Sequence, residues 1–176
     1  MIDILISSKT RVKLLLKFFL NTDTVAYLRG LESEFGESSN AIRLELNKLE
    51  EAGFLKSETQ GNRKVFGANK RHPLFSDIHS ILLKYTGIDQ IIERVINRLG
   101  NLEEVYLVGE LGKGNDSPII DLIFVGEIDK ITLTEYIDRA EEFVHKKIRY
   151  VQFNRIEFDL NRDALLNGAH IVLWQS

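Results

Sequence analysis

Cysteine is absent from the 176 residues. That removes disulfides, thiolate metal sites and cysteine nucleophiles, and it accords with a reducing compartment, so a cytoplasmic protein is expected. Proline occurs only twice. Pro73 sits in the polar stretch Asn69-Lys70-Arg71-His72-Pro73, which is expected to break regular structure and mark the exit from a first domain. No run of about 18 apolar residues is present, which argues against a transmembrane helix, so no membrane partner is expected. The opening Met1-Ile2-Asp3-Ile4-Leu5-Ile6 carries an early acid and no basic segment, unlike a secretory leader. His72, His79, His145 and His170 are far apart with no metal-ligand spacing, so no metal site and no cofactor is expected from them. Internal repeats and low-complexity tracts are also lacking.

The formal charge of −3 is a weak argument against nucleic-acid binding, and its distribution says more. Residues 1–87 hold 13 Lys+Arg against 10 Asp+Glu, a net +3, whereas residues 88–176 hold 10 against 16, a net −6.

Apolar spacing predicts a first helix over 8–21, with Ser7 or Ser8 as cap and Val12, Leu15, Leu16, Phe19 and Leu20 on one side. A second helix is expected over 25–35 with Thr24 as cap, and a third over 39–52 with Ser38 as N-cap and Gly53 just past its end. Residues 54–59 and 63–68 read as a hairpin turning at Gln60-Gly61-Asn62. Leu74, Phe75, Ile78, Ile81, Leu82 and Tyr85 form the stripe of an amphipathic helix that ends at Gly87, and Ile91 to Leu99 suggest another. The texture then turns to α/β. Strands are expected at 104–108 and 119–125, followed by a long helix through Leu133 and Val144. Further strands are expected at 149–153, 155–158 and 169–174, with a short helix at 161–166.

Helix, helix, turn, helix, hairpin is the order of a winged helix-turn-helix. In the third helix Ile42, Leu46 and Leu49 recur at helical steps and anchor it to a core. Ser39, Asn40, Arg43, Asn47 and Lys48 are left toward the outer face. These types suit a DNA groove: arginine pairs bidentately with guanine, asparagine with adenine, and serine near a helix start reaches phosphate. Asn62, Arg63 and Lys64 place polar and cationic groups at the hairpin tip, where a phosphate backbone or minor groove would lie. The run from Ser39 to Leu55, with Leu49-Glu50-Glu51-Ala52-Gly53-Phe54-Leu55, resembles the recognition helix and wing entry of ArsR and MarR-like regulators. That resemblance implies a transcriptional regulator that binds double-stranded DNA, and a homodimer is expected because a winged-helix monomer reads only a short half-site while two-fold operators need two copies.

A second motif spans residues 106–126: Tyr106-Leu107-Val108-Gly109-Glu110-Leu111-Gly112-Lys113-Gly114, then Pro118-Ile119-Ile120-Asp121 on the next strand. It resembles the nucleotidyltransferase signature of strand, Gly-Ser turn, Gly-rich loop and Asp-x-Asp. The passage from Val65 to Leu74 also resembles a prokaryotic group that fuses an ArsR-like winged helix to such a domain. In that signature the turn holds nucleotide phosphates, and two aspartates at i and i+2, on one strand face, hold two magnesium ions. Here Glu110 stands where the serine should follow Gly109, and Ile119 replaces the first aspartate, leaving Asp121 alone. The resemblance therefore implies a vestigial nucleotide site at Gly109, Glu110, Gly114 and Asp121, with no catalytic residue and no bound metal. Gly109 to Gly114 fits neither a P-loop nor a Rossmann fingerprint in spacing.

The fold class expected is α+β: a winged helix-turn-helix over 1–72, a connecting helix over 73–87, and a nucleotidyltransferase-like domain with a mixed sheet and flanking helices over 88–176. The second domain would serve assembly or sense a small-molecule or nucleotide effector. Two alternatives stay open, an active divergent nucleotidyltransferase using ATP and magnesium, with Glu157 or Asp159 supplying an acid from a third strand, and a non-catalytic protein-interaction adaptor.

Overall fold

The computed structural model describes residues 5–176, so the first four residues of the segment compared above with a leader lie outside the described residues. The chain divides into two compact units between Tyr85 and Thr86.

In the first unit, helix α1 (Lys9–Leu15) starts at Ser8, whose hydroxyl oxygen accepts the Arg11 N–H. It then widens into a π turn over Leu16–Leu20, all of it buried. The regular helix expected over 8–21 changes its winding because Leu14, Leu15, Leu16, Phe18, Phe19 and Leu20 are all core residues. A single 3.6-residue face cannot hold six such side chains, and a π turn redirects part of them inward. Lys17, caught in this turn, pairs with Glu34 at 2.7 Å.

The helix expected over 25–35 with a Thr24 cap is corrected. Val25–Tyr27 is strand β1, and helix α2 (Leu28–Phe35) begins after it with no side-chain cap. Valine and tyrosine favour a strand, and β3 (Arg63–Ala68) offers an open edge on which Val25, Ala26 and Tyr27 pair with Gly67, Phe66 and Val65. The pairing satisfies backbone groups that a frayed helix start would leave unpaired. Helix α3 (Ser39–Glu51) is capped by Ser38, whose side chain accepts the Ala41 N–H, and the chain leaves it through Gly53 at φ +78°. Strand β2 (Leu55–Gln60) pairs with β3 across a Gly61-Asn62 turn, giving a sheet of order β1-β3-β2. Leu31, Ile42, Leu46 and Leu55 join the π-turn residues in the core. Helix α4 (Phe75–Thr86) carries the predicted stripe from Phe75 onward, with Leu82 buried and Ile81 exposed, while Leu74 lies exposed just before the helix.

The second unit begins with α5 (Ile88–Arg94) and a 3-10 turn at Ile96–Arg98, where one helix through Leu99 was expected. Strands β4 (Leu102–Val108), β5 (Ile119–Gly126), β6 (Lys147–Phe153) and β7 (Ile171–Gln175) form a mixed sheet of order β6-β5-β4-β7. Only β5 and β6 are parallel, and the long helix α7 (Lys130–Val144) makes the crossover that a parallel pair needs. A four-residue helix, α6 (Gly109–Gly112), replaces the first part of the Gly-rich loop. The expected α+β class, with a mixed sheet and flanking helices, is what the chain adopts.

The strand expected at 155–158 is a second correction. Residues Arg155–Leu165 form one helix, α8, started by a capping box in which Asn154 accepts the Glu157 N–H and Glu157 accepts the Asn154 N–H. Reciprocal capping of this kind satisfies two otherwise orphaned donors. Glu157 is thereby a capping residue, and Asp159 lies 3.6 Å from Arg155 on the same helix, so neither supplies an acid from a third strand.

Arg155 fastens α8 to β4, with its Nε 2.8 Å from Glu103 and Nη1 3.4 Å from the buried Glu104. The Tyr106 hydroxyl donates to Glu104 at 2.7 Å, and the Tyr106 ring stacks on Phe158. Burial pushes the Glu104 carboxyl up, but the Tyr106 and Arg155 hydrogen bonds and the positive charge outweigh it and hold the group below its ordinary value of 4.5. A carboxylate depressed in the folded state stabilises the fold fully above its unfolded value and loses that contribution as pH falls through the folded value. Glu104→Gln is therefore expected to lower the urea midpoint of the second unit near neutrality and to flatten its decline below 4.5. An unchanged acid limb in the variant would contradict this account.

Candidate functional site: a basic groove and an altered glycine-rich turn

The core-facing Ile42, Leu46 and Leu49 orient α3 so that Asn40, Arg43, Asn47 and Lys48 are exposed. The hairpin tip turns at Gly61, φ +59°, and stands beside this helix. Between them lies an open groove of about 560 Å³, lined on the helix side by Arg43, Leu46 and Asn47 and on the hairpin side by Asn62, Arg63, Lys64 and Phe66. Tyr27, Leu28 and Arg29, from the end of β1 and the start of α2, close the third side. Four cations line the groove and no carboxylate does. Five of the eight predicted DNA-facing residues, Arg43, Asn47, Asn62, Arg63 and Lys64, thus meet on one surface.

The other three sit elsewhere. Asn40 and Lys48 are exposed on α3 outside the groove lining, and Lys48 lies 3.7 Å from Glu45. The Ser39 hydroxyl donates to Glu32 at 2.6 Å and is half-buried, because α2 packs beside the start of α3. Sequence reasoning missed Tyr27 and Arg29, which reach the groove only because β1 pairs with β3. It also missed Leu44, exposed on the outer face of α3.

The groove cations differ in how they are held. Arg43 and Arg29 have no hydrogen-bond or ion-pair partner among the described residues. Arg63 lies over the Tyr27 ring at 4.7 Å from its centroid. Lys64 donates to Glu50 at 2.6 Å and lies 5.0 Å from the Phe66 centroid. Glu50 also accepts from the Ser57 hydroxyl, and the Lys64 and Ser57 hydrogen bonds hold its carboxyl below the ordinary range. Behind the helix, burial pushes Glu45 up, but Arg11 at 2.7 Å outweighs it and keeps the carboxyl low.

In the second unit, Gly109 follows β4 with φ +67°, and Gly114 has φ +83°. A Cβ at Gly109 would overlap the Asp121 carboxylate, so the two residues are packed as one feature. Asp121 is bonded by the Arg149 Nε at 2.6 Å, from the register-matched position of β6, and that bond raises the Arg149 pKa. Glu110 is exposed and turned back onto its own loop, accepting from Lys113 at 2.7 Å and from Asn115 Nδ2 at 3.0 Å. Three of the loop amides are occupied too. The N–H groups of Lys113, Gly114 and Asn115 donate to the carbonyls of Gly109 and Glu110, Leu111, and Glu110 respectively.

The two magnesium ions implied by the nucleotidyltransferase resemblance need converging carboxylates. Among the described residues no cluster of three or more His, Asp or Glu side chains could hold a metal ion. Asp121 is paired with a guanidinium, and Ile119 stands two residues before it, where the second acid would be required. The donor set does not fit this metal pair.

No protein-family model matches the chain, and no curated protein matches it. Solved structures give partial likenesses. A variant of the MntA-HpeT toxin-antitoxin is 16% identical over 50% of this chain and 73% of its own, at a TM-score of 0.41. A candidate nucleotidyltransferase from Sulfolobus solfataricus is 23% identical over 57% and 87%, at 0.37. A protein from Archaeoglobus fulgidus is 19% identical over 47% and 93%, at 0.38. Likeness at this level assigns the chain to no family. Among the described residues no helix is long and apolar enough to cross a membrane.

Gly109→Ala should lower stability by about 1–3 kcal/mol in urea unfolding, because a side chain meets both the left-handed backbone and the Asp121 carboxylate. Adding Asp121→Ala should recover part of that loss. Strict additivity of the two substitutions would show that the glycine and the aspartate are not packed against each other.

Proposed function

We propose that the chain is a DNA-binding regulator in which the first unit acts as a winged helix-turn-helix. The observation that carries this reading is the convergence of Arg43 and Asn47 from α3 with Asn62 and Arg63 from the hairpin on one cationic groove free of carboxylates. Arg43 and Asn47 face outward on a helix anchored from behind, which is the arrangement needed to present base-reading side chains to a major groove. The hairpin tip brings cationic charge toward the neighbouring phosphates. Two-fold operators call for two copies, so a homodimer is part of the proposal, and the exposed Ile81 of α4 and Leu74 just before that helix are candidates for its contact.

Fluorescence anisotropy with labelled duplex DNA tests the reading. Binding should weaken steeply with salt, and Arg43→Ala should cost roughly tenfold or more if it reads a base. No salt-sensitive binding at micromolar protein would count decisively against it.

The second unit, on this proposal, is a nucleotidyltransferase-like scaffold whose surviving Asp121 is committed to Arg149. Its role is assembly or effector sensing. Incubation with labelled ATP and magnesium should give no transfer above background. Transfer that disappears in Asp121→Ala would overturn the scaffold reading and establish a divergent enzyme.

A further inference from the structure

The two adjacent hairpin cations, Arg63 and Lys64, are paired with groups of opposite electrostatic consequence. Lys64 meets a carboxylate, since Glu50 accepts from its ammonium at 2.6 Å and is itself fixed by the Ser57 hydroxyl. Much of the field of that ammonium toward the groove is cancelled at such a distance. Arg63 meets a ring. Its guanidinium carbon is 4.7 Å from the Tyr27 centroid, and no carboxylate partners it among the described residues. An aromatic face orients a guanidinium without neutralising it and leaves its N–H groups able to donate. Tyr27 is in turn seated by its surroundings: β1 pairs it with Val65, and the outer end of its ring lies over Gly30, where a Cβ would come 3.4–3.7 Å from three ring atoms. The Tyr27 hydroxyl has no hydrogen-bond partner among the described residues, so the ring is the part that acts.

We propose that Arg63, set on the Tyr27 ring, is the hairpin cation that contacts DNA phosphate, that Tyr27 is its positioning residue, and that Glu50 withholds Lys64 from the same task. This rests on the DNA-binding reading above. It adds that adjacent cations on one hairpin contribute unequally, and that a residue outside both α3 and the hairpin sets the stronger one. It also separates charge from function on this surface: the local carboxylate, rather than distance from the groove, decides which cation is available.

The test is anisotropy of the full chain with a fluorescein-labelled mixed-sequence duplex, titrated at several salt concentrations, with folding of each variant checked by circular dichroism. Arg63→Ala should weaken binding and lower the slope of log affinity against log salt by about 0.9, the value for one lost phosphate contact. Lys64→Ala should leave that slope unchanged, and Glu50→Gln should steepen it by about the same amount, about 0.9. Tyr27→Leu should weaken binding by roughly 3-fold, as expected for a cation–ring contact, and should add nothing in an Arg63→Ala background. Tyr27→Phe should match the unsubstituted protein.

Equal slope losses for Arg63→Ala and Lys64→Ala would overturn the assignment, as would additive losses for Tyr27→Leu and Arg63→Ala. Should Tyr27→Leu fail to fold, the contrast of Arg63→Ala, Lys64→Ala and Glu50→Gln decides alone. Failure of the underlying reading looks different: the unsubstituted protein then shows no salt-dependent binding, and Arg43→Ala changes nothing.

Discussion

The rotation of α3 about its own axis is the constraint from which the first unit's surface follows. Ile42, Leu46 and Leu49 are buried at three- and four-residue steps, and a helix advances about 100° per residue. A slip of one residue would drive Arg43 or Asn47 into the core, where an unpaired guanidinium is prohibitively costly. The aliphatic anchor therefore selects a single outward face. Helix α1 supports the same choice, because α3 packs against its Lys9–Leu15 span, where Val12, Leu14 and Leu15 are buried.

The same economy of charge explains the second unit. The two-metal site of the nucleotidyltransferase signature needs acids at i and i+2 on one strand face, where they repel each other until metal neutralises them. This sheet instead sets Asp121 against Arg149 across a parallel register and packs the aspartate over a bare Gly109. The loop that resembles a phosphate cradle donates three of its amides to its own carbonyls. An ion pair and the hydrogen bonds from these three amides hold the feature together.

How much of this was legible in the sequence depends on how local each signal was. Helix α3, its Ser38 cap and its buried face could be read because periodicity, cap and terminating glycine all lie within sixteen residues, 38–53. The Asn154–Glu157 capping box was equally local, yet alternation in Arg155-Ile156-Glu157-Phe158 was read as a strand, a case of period outweighing a cap. Strand β1 was hidden because three residues carry almost no period and their partners stand about forty positions away in β3. Missing β1 meant missing Tyr27 and Arg29 at the groove. The outward residues Arg43, Asn47 and Arg63 were foreseen, but the pairings that decide their availability, Lys64 with Glu50 and Asp121 with Arg149, depend on tertiary register and could not be read from spacing.

On the function proposed above, the outer face of α3 and the hairpin tip together form the surface that meets a DNA duplex. Amide chemical-shift mapping by NMR during titration with a short duplex addresses it most directly. The account predicts that the largest shifts cluster at residues 40–47, 61–64 and 27–29, while residues 109–121 stay still. Shifts centred on the Gly109–Asp121 feature, or on the inner face of α3, or none at all, would contradict it.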